Sequence, residues 1–558
     1  MTTLDHATDT LTRDALAVLQ PGFAGTTAPE WLLRRLGEGL VTVGLFGRNI
    51  TSPEQLSALT AQLRGERGDV LVAIDEEGGD VTRLEVRTGS SFPGNLALGV
   101  VDDTELTREV AREMGRRLAG CGVHLNWAPS ADVNSNPDNP VIGVRSFGSD
   151  PALVARHTAA YVEGLQSSGV AACAKHFPGH GDTGVDSHLA LPRIDADLAT
   201  LSERELIPFR AAIAAGTKAV MSAHILLPAL DPRLPATLSP HALTGLLRRP
   251  VADGGLGFDG LIITDGMEMQ AIAATYGIEH GSVLAIAAGA DAICVGGGLT
   301  DEDTVVRLRD ALVAAVRSGE LPEERLADAA ARVRALADWA RTAARTPDTT
   351  VSGAATAPAV ITAGAPEPAT PAAVDAVATA EAVPAAGATA TVAEADAERS
   401  DVGQRAARRA LRVTHGAAPY EPATGPVHVA AFSPVANIAV GDETPWGVAA
   451  ELIRLLPGTG TATYGQQDAA ELGGELVGRV LGDAGDRRVV AVVRDAHRHP
   501  WMGQALDGLV AARPDTVVVE MGVPQAPPTG ALHIATHGAA RVCGRAAAEV
   551  IAGLTPGD

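Results

Sequence analysis

The sequence predicts an α/β protein with an N-terminal TIM-like (β/α)8 barrel and a smaller C-terminal α/β sandwich domain, joined by a disordered linker. Three observations carry that expectation. Over about the first 340 residues, short apolar runs alternate with longer amphipathic stretches, the pattern of a parallel sheet crossed by helices. The chemically active side chains follow those runs at one end only, where a barrel gathers its site. Between Thr346 and Ala397 the composition turns to alanine, threonine and proline, with few charges and no aromatics, which buries too little surface to fold.

Length and charge set the outer bounds. At 558 residues the chain exceeds what one core organises, and domains are expected over 1–345 and 399–558, with the linker over 346–398. Hydrophobic residues make up 46% of the chain, ample for globular cores. The net charge of −23 argues against a nucleic-acid partner, and no basic block suggests a membrane surface. The opening stretch MTTLDHATDTLTRDAL lacks the basic-then-apolar order of a signal peptide, and no run reaches the length of a membrane span, so a cytoplasmic location is expected. Cys121, Cys173, Cys294 and Cys543 are scattered without metal-type spacing, and three of them sit in or beside strand-like runs as buried thiols do.

In chain order the expected strands are Val41–Phe46, Val70–Asp75, Val123–Ala128, Val170–Lys175, Ala219–His224, Leu261–Asp265 and Ala292–Val295, with a short eighth near Arg145–Gly148. Helical patterns such as Leu106–Ala119 and Pro151–Gly169 separate most of them. A doubly wound sheet is the second choice, but its Gly-x-Gly-x-x-Gly turn is missing after the first strand. The strand ends lead into Asp75-Glu76-Glu77-Gly78-Gly79, Asp132 and Asn134, Lys175-His176, Ser222 and His224, and Thr264-Asp265-Gly266.

Beyond the linker, Val402–Arg412 reads as a basic helix, and Val427–Phe432, Val489–Val493 and Thr516–Met521 read as buried strands of a parallel sheet, with helices at Trp446–Leu456 and Met502–Ala512. The segment Arg494–Trp501, RDAHRHPW, follows one of these strands. Its plainer reading is a charged strand-end loop packed on its own domain; the alternative is a lid or ligand site at the barrel mouth.

The densest chemistry lies in Lys175–Pro192, KHFPGHGDTGVDSHLALP, where Lys175, His176, His180, Asp182, Asp186 and His188 are interleaved with glycine and proline. Gly179, Gly181 and Pro178 make this a shaped loop, and six ionisable groups at a strand end need a ligand or one another. Asp265, at another strand end, suits a nucleophile, a general base, a metal ligand or simply an N-cap for a helix over Glu268–Thr275.

Five segments together resemble glycoside hydrolase family 3 in its β-N-acetylglucosaminidase branch: LFGRN (Leu45–Asn49), IDEEGGDVTRL (Ile74–Leu84), NPVIGVRSFG (Asn139–Gly148), KHFPGHGDTGVDSH (Lys175–His188) and IITDGMEM (Ile262–Met269). The resemblance spans about the first 340 residues, and the rear part resembles the C-terminal domain of longer members. It implies a retaining, exo-acting β-N-acetylglucosaminidase that removes terminal β-linked N-acetylglucosamine through a glycosyl-enzyme. It places Asp265 on the nucleophile, His188 on the acid/base and Asp186 on its dyad partner. It also places Asp75, Arg83, Arg145, Lys175 and His176 on positions that hold the first sugar. No cofactor or metal is implied. Two positions depart from the family pattern: Asp80 stands where members often carry arginine, and Gly266 replaces a bulkier residue beside the nucleophile.

The chemistry fits those assignments. Retaining glycosidases usually employ two carboxyl groups, whereas an imidazole titrating near pH 6.5 needs less tuning to act as both acid and base. A neutral histidine also spares an incoming phosphate the repulsion of an anionic base, so inorganic phosphate is an expected alternative acceptor to water, giving a sugar 1-phosphate. The rival readings are a β-glucosidase or a dual-specificity enzyme, a catalytically silent sugar-binding protein, and a metal-dependent hydrolase using His176, His180, Asp182, Asp186 and His188.

Overall fold

The computed structural model describes residues 9–343, 401–434, 440 and 444–554. The expected linker over 346–398 lies outside the described residues.

In the N-terminal part, strands β1 (Leu19–Pro21), β2 (Thr42–Leu45), β3 (Leu71–Ile74), β4 (Leu125–Asn126), β5 (Ala171–Phe177), β6 (Ala219–Ser222), β7 (Leu261–Thr264) and β8 (Ile293–Val295) alternate with helices. Strands β2 to β7 form one parallel sheet in sequential order, and β1 pairs in parallel with β8. A parallel bridge between Ile263 and Ala292 carries β7 over to β8, while β1 meets β2 through Thr42 Oγ1, which donates to Leu19 O at 2.8 Å. Strand pairing thus shows a six-stranded curved half and a two-stranded arc rather than one continuous ladder of eight. All eight strands are buried along their length, as expected of a parallel sheet covered by helices on one face and filled by side chains on the other. Aspartate N-caps set several of the covering helices: Asp103 accepts from Leu106 N at 3.1 Å, and Asp301 from Thr304 N at 2.8 Å.

One strand expectation needs correction. The eighth strand is Leu19–Pro21, near the chain start, and not Arg145–Gly148. The latter stretch instead begins at the last residue of a 3-10 turn over Gly143–Arg145, whose backbone bends to bring the Arg145 guanidinium inward.

The C-terminal part is a six-stranded sheet in the order β11-β10-β12-β13-β14-β9, where β9 is Arg412–His415, β10 His428–Ser433, β11 Gly460–Gly465, β12 Val489–Val493, β13 Val517–Glu520 and β14 Leu532–Ala535. The expected all-parallel sheet is in fact mixed, because β9 pairs antiparallel with β14. Two apolar clusters fill its faces, one containing Val429, Val490, Val519 and Ile534, the other Ala430, Phe432, Ala491 and Val518. Successive residues of a strand enter opposite clusters, as the two-residue pleat repeat requires. Helix Val402–Ala410 joins the parts: Val402 and Ala406 belong to the N-terminal core, and Ala407 to the C-terminal one.

Candidate active site

The ends of β2, β3, β4, β5, β6, β7 and β8 converge on a cavity of 470 Å³. Asp75, Arg83, Arg145, Lys175, His176, His188 and Asp265 all line it, and Asp186 stands behind His188.

At the floor lies a buried charge network. The Lys175 ammonium sits 2.5 Å from Asp75 Oδ1 and 2.6 Å from Glu77 Oε1. Arg145 donates to both oxygens of Glu77, at 3.0 Å from Nε and 2.7 Å from Nη2, and Nη1 donates to Val141 O at 3.1 Å. Burial alone would neutralise these groups, yet the two cations hold the Glu77 carboxyl far below its usual range, and Asp75 and Glu77 hold Lys175 above its own. Arg83 approaches Asp75 Oδ2 at 3.4 Å across the cavity wall. The arrangement is a rigid set of charged donors and acceptors, suited to several adjacent hydroxyl groups.

Local sequence explains how these groups meet. After β3 the chain folds back at Gly78-Gly79, where Val81 N donates to Gly78 O at 3.3 Å and Glu77 N to Val81 O at 3.0 Å. Gly79 takes φ +63°, and a Cβ there would lie 2.5 Å from Gly94 Cα. Buried Glu76 closes the turn: its Oε2 accepts from Arg83 N at 2.7 Å and Leu84 N at 2.9 Å. Desolvation pushes the Glu76 carboxyl up to about 7 against these hydrogen bonds.

His176 is held by a residue not singled out from the sequence as functional. Asp132 Oδ2 accepts from His176 Nδ1 at 2.7 Å, and its Oδ1 accepts from the backbone amides of His176 at 3.1 Å and His180 at 2.7 Å. Nε2 of His176 is thereby left toward the cavity, 3.4 Å from Arg145 Nη2.

Asp265 caps β7, with its amide donating to Ser222 O at 3.1 Å and its Oδ1 accepting from Gly266 N at 2.8 Å. It is no helix N-cap: the next helix is Gln270–Tyr276, and Met269 precedes it. Burial opposes ionisation of the carboxyl, but His224, His176 and His188 outweigh it and hold Asp265 at about 2.

His188 and Asp186 form a close pair. His188 Nδ1 donates to Asp186 Oδ1 at 2.7 Å, and the same oxygen accepts from the His188 amide at 2.9 Å. Desolvation disfavours the imidazolium, but the Asp186 hydrogen bond and the charges of Asp265 and Asp186 raise His188 above its ordinary value. An ionised carboxylate and a readily protonated imidazole thus face one cavity, the pairing that displacement at an acetal carbon with proton donation to the leaving oxygen requires.

The loop between them is scaffold. A Cβ at Gly181 would stand 1.7 Å from Val133 O, so only glycine fits. His180 bonds Thr183 Oγ1 at 2.8 Å and Ser187 Oγ at 3.3 Å, and burial lowers it to about 4. Asp182 pairs with Arg204 at 2.7 Å. Of the five groups considered as metal ligands, His176 turns to Asp132, His180 to Thr183 and Ser187, Asp182 to Arg204, and Asp186 and His188 to each other, so they do not gather on one centre.

Glu268 is a further wall residue. Its Oε1 accepts from Gly296 N at 2.9 Å, from Gly298 N at 3.2 Å and from Gly297 N, which ties β8's exit to the segment after Asp265. Its spacing from Asp265 was visible in the sequence, but the glycine amides that fix it are not.

The expectation that Arg494–Trp501 packs only on its own domain is overturned. Arg494 pairs with Asp80, and His497 Nε2 donates to Pro137 O at 3.0 Å, so the segment faces the N-terminal loops.

Comparison with known proteins agrees with this architecture. Residues 26–336, more than half of the chain, match the model of the glycosyl hydrolase family 3 N terminal domain. A β-hexosaminidase of Chromobacterium violaceum is 36% identical over 355 residues, covering 62% of this chain and 94% of that protein. β-Hexosaminidase A of Pseudoalteromonas piscicida is 34% identical over 316 residues, covering 52% of each, so the matched part spans about half of that longer relative. A solved family 3 β-N-acetylglucosaminidase of Paenibacillus sp. aligns over 98% of this chain and 97% of its own, with a TM-score of 0.78 and 33% identity. The chain belongs to glycosyl hydrolase family 3.

Proposed function

We propose that the protein is a retaining, exo-acting β-N-acetylglucosaminidase acting on terminal β-linked N-acetylglucosamine. The observation that carries the reading is the shared cavity of ionised Asp265 and the His188–Asp186 pair, with the Asp75–Lys175–Glu77–Arg145 network below it. The eight strands act as a (β/α)8-type scaffold, and the named activities of the family relatives support the substrate class.

In this mechanism Asp265 attacks the anomeric carbon while the His188 imidazolium donates its proton to the departing oxygen. The carboxylate becomes a neutral ester, which removes one of the charges that raise His188. The imidazole then holds its proton less tightly and serves as base toward water in the second step. Asp186 fixes the tautomer and steadies the imidazolium. Asp75, Arg83, Lys175, Arg145 and His176 grip the sugar hydroxyls and ring.

We further propose that inorganic phosphate competes with water at the second step, because no carboxylate serves as the base to repel it. The proposed activity suits a cytoplasmic enzyme acting on soluble carbohydrate fragments. Release from an aryl β-N-acetylglucosaminide and an aryl β-glucoside, each with and without phosphate, tests these readings. Faster release from the glucosaminide supports the substrate, and a sugar 1-phosphate supports the acceptor. Preference for the glucoside would favour a β-glucosidase, and an unchanged product ratio would remove the phosphorylase reading.

A further inference from the structure

We propose that the C-terminal domain positions the sugar-gripping loop, with the Arg494–Asp80 ion pair as its clamp; this rests on the reading of Asp75 and Arg83 as sugar ligands. Asp80 sits at the tip of the turn that folds Asp75 back against Arg83. Its side chain is 1% exposed, so its charge requires a partner. Both partners come from the far domain: Arg494, at the end of β12, pairs with Oδ2, and Ala539 N donates to Oδ1 at 2.7 Å. The cation that neutralises this carboxylate thus arrives from a residue 414 positions later.

The contact continues along the loop's return path. Arg541 Nη2 donates to Ser91 Oγ at 2.7 Å and its Nε to Gly89 O at 3.3 Å. Gly403 lies so close beneath that a Cβ would be 1.9 Å from Ser91 O. On its other side the turn rests on Gly94 and donates from Gly79 N to Phe92 O at 2.9 Å. The loop carrying Asp75, Glu77 and Arg83 is therefore pressed between its own barrel and the second domain. Removing the clamp frees the tip, and the Asp75–Arg83 jaw widens before Asp265 or His188 is affected.

The test uses the full chain with Arg494→Ala, Arg494→Lys, Asp80→Asn and the double variant Asp80→Asn/Arg494→Gln. Arg409→Ala serves as control, since Arg409 meets Asp103 at an exposed point of the same interface, 2.8 Å apart. Arg494→Ala is expected to raise KM for the aryl glucosaminide about tenfold or more with kcat changed less, as misplaced binding groups do. Amide exchange should quicken in peptides covering 75–84 and not in those covering 261–270. Arg494→Lys should recover part of the loss, and the neutral double variant should be less impaired than either single change. If Arg494→Ala does not fold, the lysine and double variants carry the same comparison. Unchanged KM and exchange, or a fall in kcat alone with exchange rising throughout the chain, would overturn the proposal. Exchange reports the clamp even if the wild type does not act on glucosaminides, which separates failure of the clamp from failure of the substrate reading.

Discussion

His188 Nδ1 and Asp186 Oδ1 stand 2.7 Å apart, so the imidazole keeps its Nδ1 proton and leaves Nε2 for the reaction. Asp186→Asn removes a negative charge that raises His188. The alkaline limb of kcat/KM, set by loss of the imidazolium proton, should then move to lower pH, and kcat should fall by about 10²-fold or more. A pH–rate profile of the variant checks both. An unmoved alkaline limb would mean another group titrates there.

His188→Ala should separate substrates by leaving group. Aryl glycosides with acidic phenols need little protonation and should lose little in the glycosylation step, while alkyl glycosides and disaccharides should lose about 10²- to 10⁴-fold. Equal losses on both would assign His188 to substrate positioning.

Lys175 is buried between two carboxylates, so Lys175→Met leaves Asp75 and Glu77 with one cation fewer. Loss of a partner from a buried network should cost about 3–5 kcal/mol of stability. The expected result is a clear fall in Tm together with loss of sugar binding. An unchanged Tm would contradict the buried network as drawn.

Glu76 is fully buried and raised to about 7, above its ordinary 4.5. A raised folded pKa gives stability that is full below the unfolded value and is lost as pH climbs through the folded one. Between pH 4.5 and 7 the loss amounts to about 3 kcal/mol. Glu76→Gln, which still accepts the two backbone N–H groups, should flatten that slope and unfold at higher temperature than the wild type at pH 8. Thermal unfolding at pH 5 and pH 8 measures the difference.

Much of the N-terminal fold was legible because buried parallel strands read as continuous apolar runs, and Val41–Phe46 or Leu261–Asp265 needed no tertiary information. Strand β1 escaped because three residues, Leu-Gln-Pro, carry no period. Strand β9 escaped because all four of its residues are exposed, and only pairing with β14 makes it a strand. The site residues were legible as polar groups at strand ends. Asp132 was seen only as a strand-end polar residue, since its role is to accept from amides and a ring 44 and 48 residues away. The pairing of Asp80 with Arg494 had no local signal at all, because each reads as an ordinary loop charge until the two domains meet.

Asp265 is expected to bond covalently to the sugar during turnover. Incubation with a fluorinated N-acetylglucosaminyl donor that glycosylates quickly and is released slowly, followed by mass spectrometry of the digested protein, tests it directly. The expected result is one sugar per chain, carried by the peptide containing Asp265 and absent from Asp265→Ala. A stoichiometric adduct on any other residue, or turnover of the donor by Asp265→Ala at the wild-type rate, would contradict it.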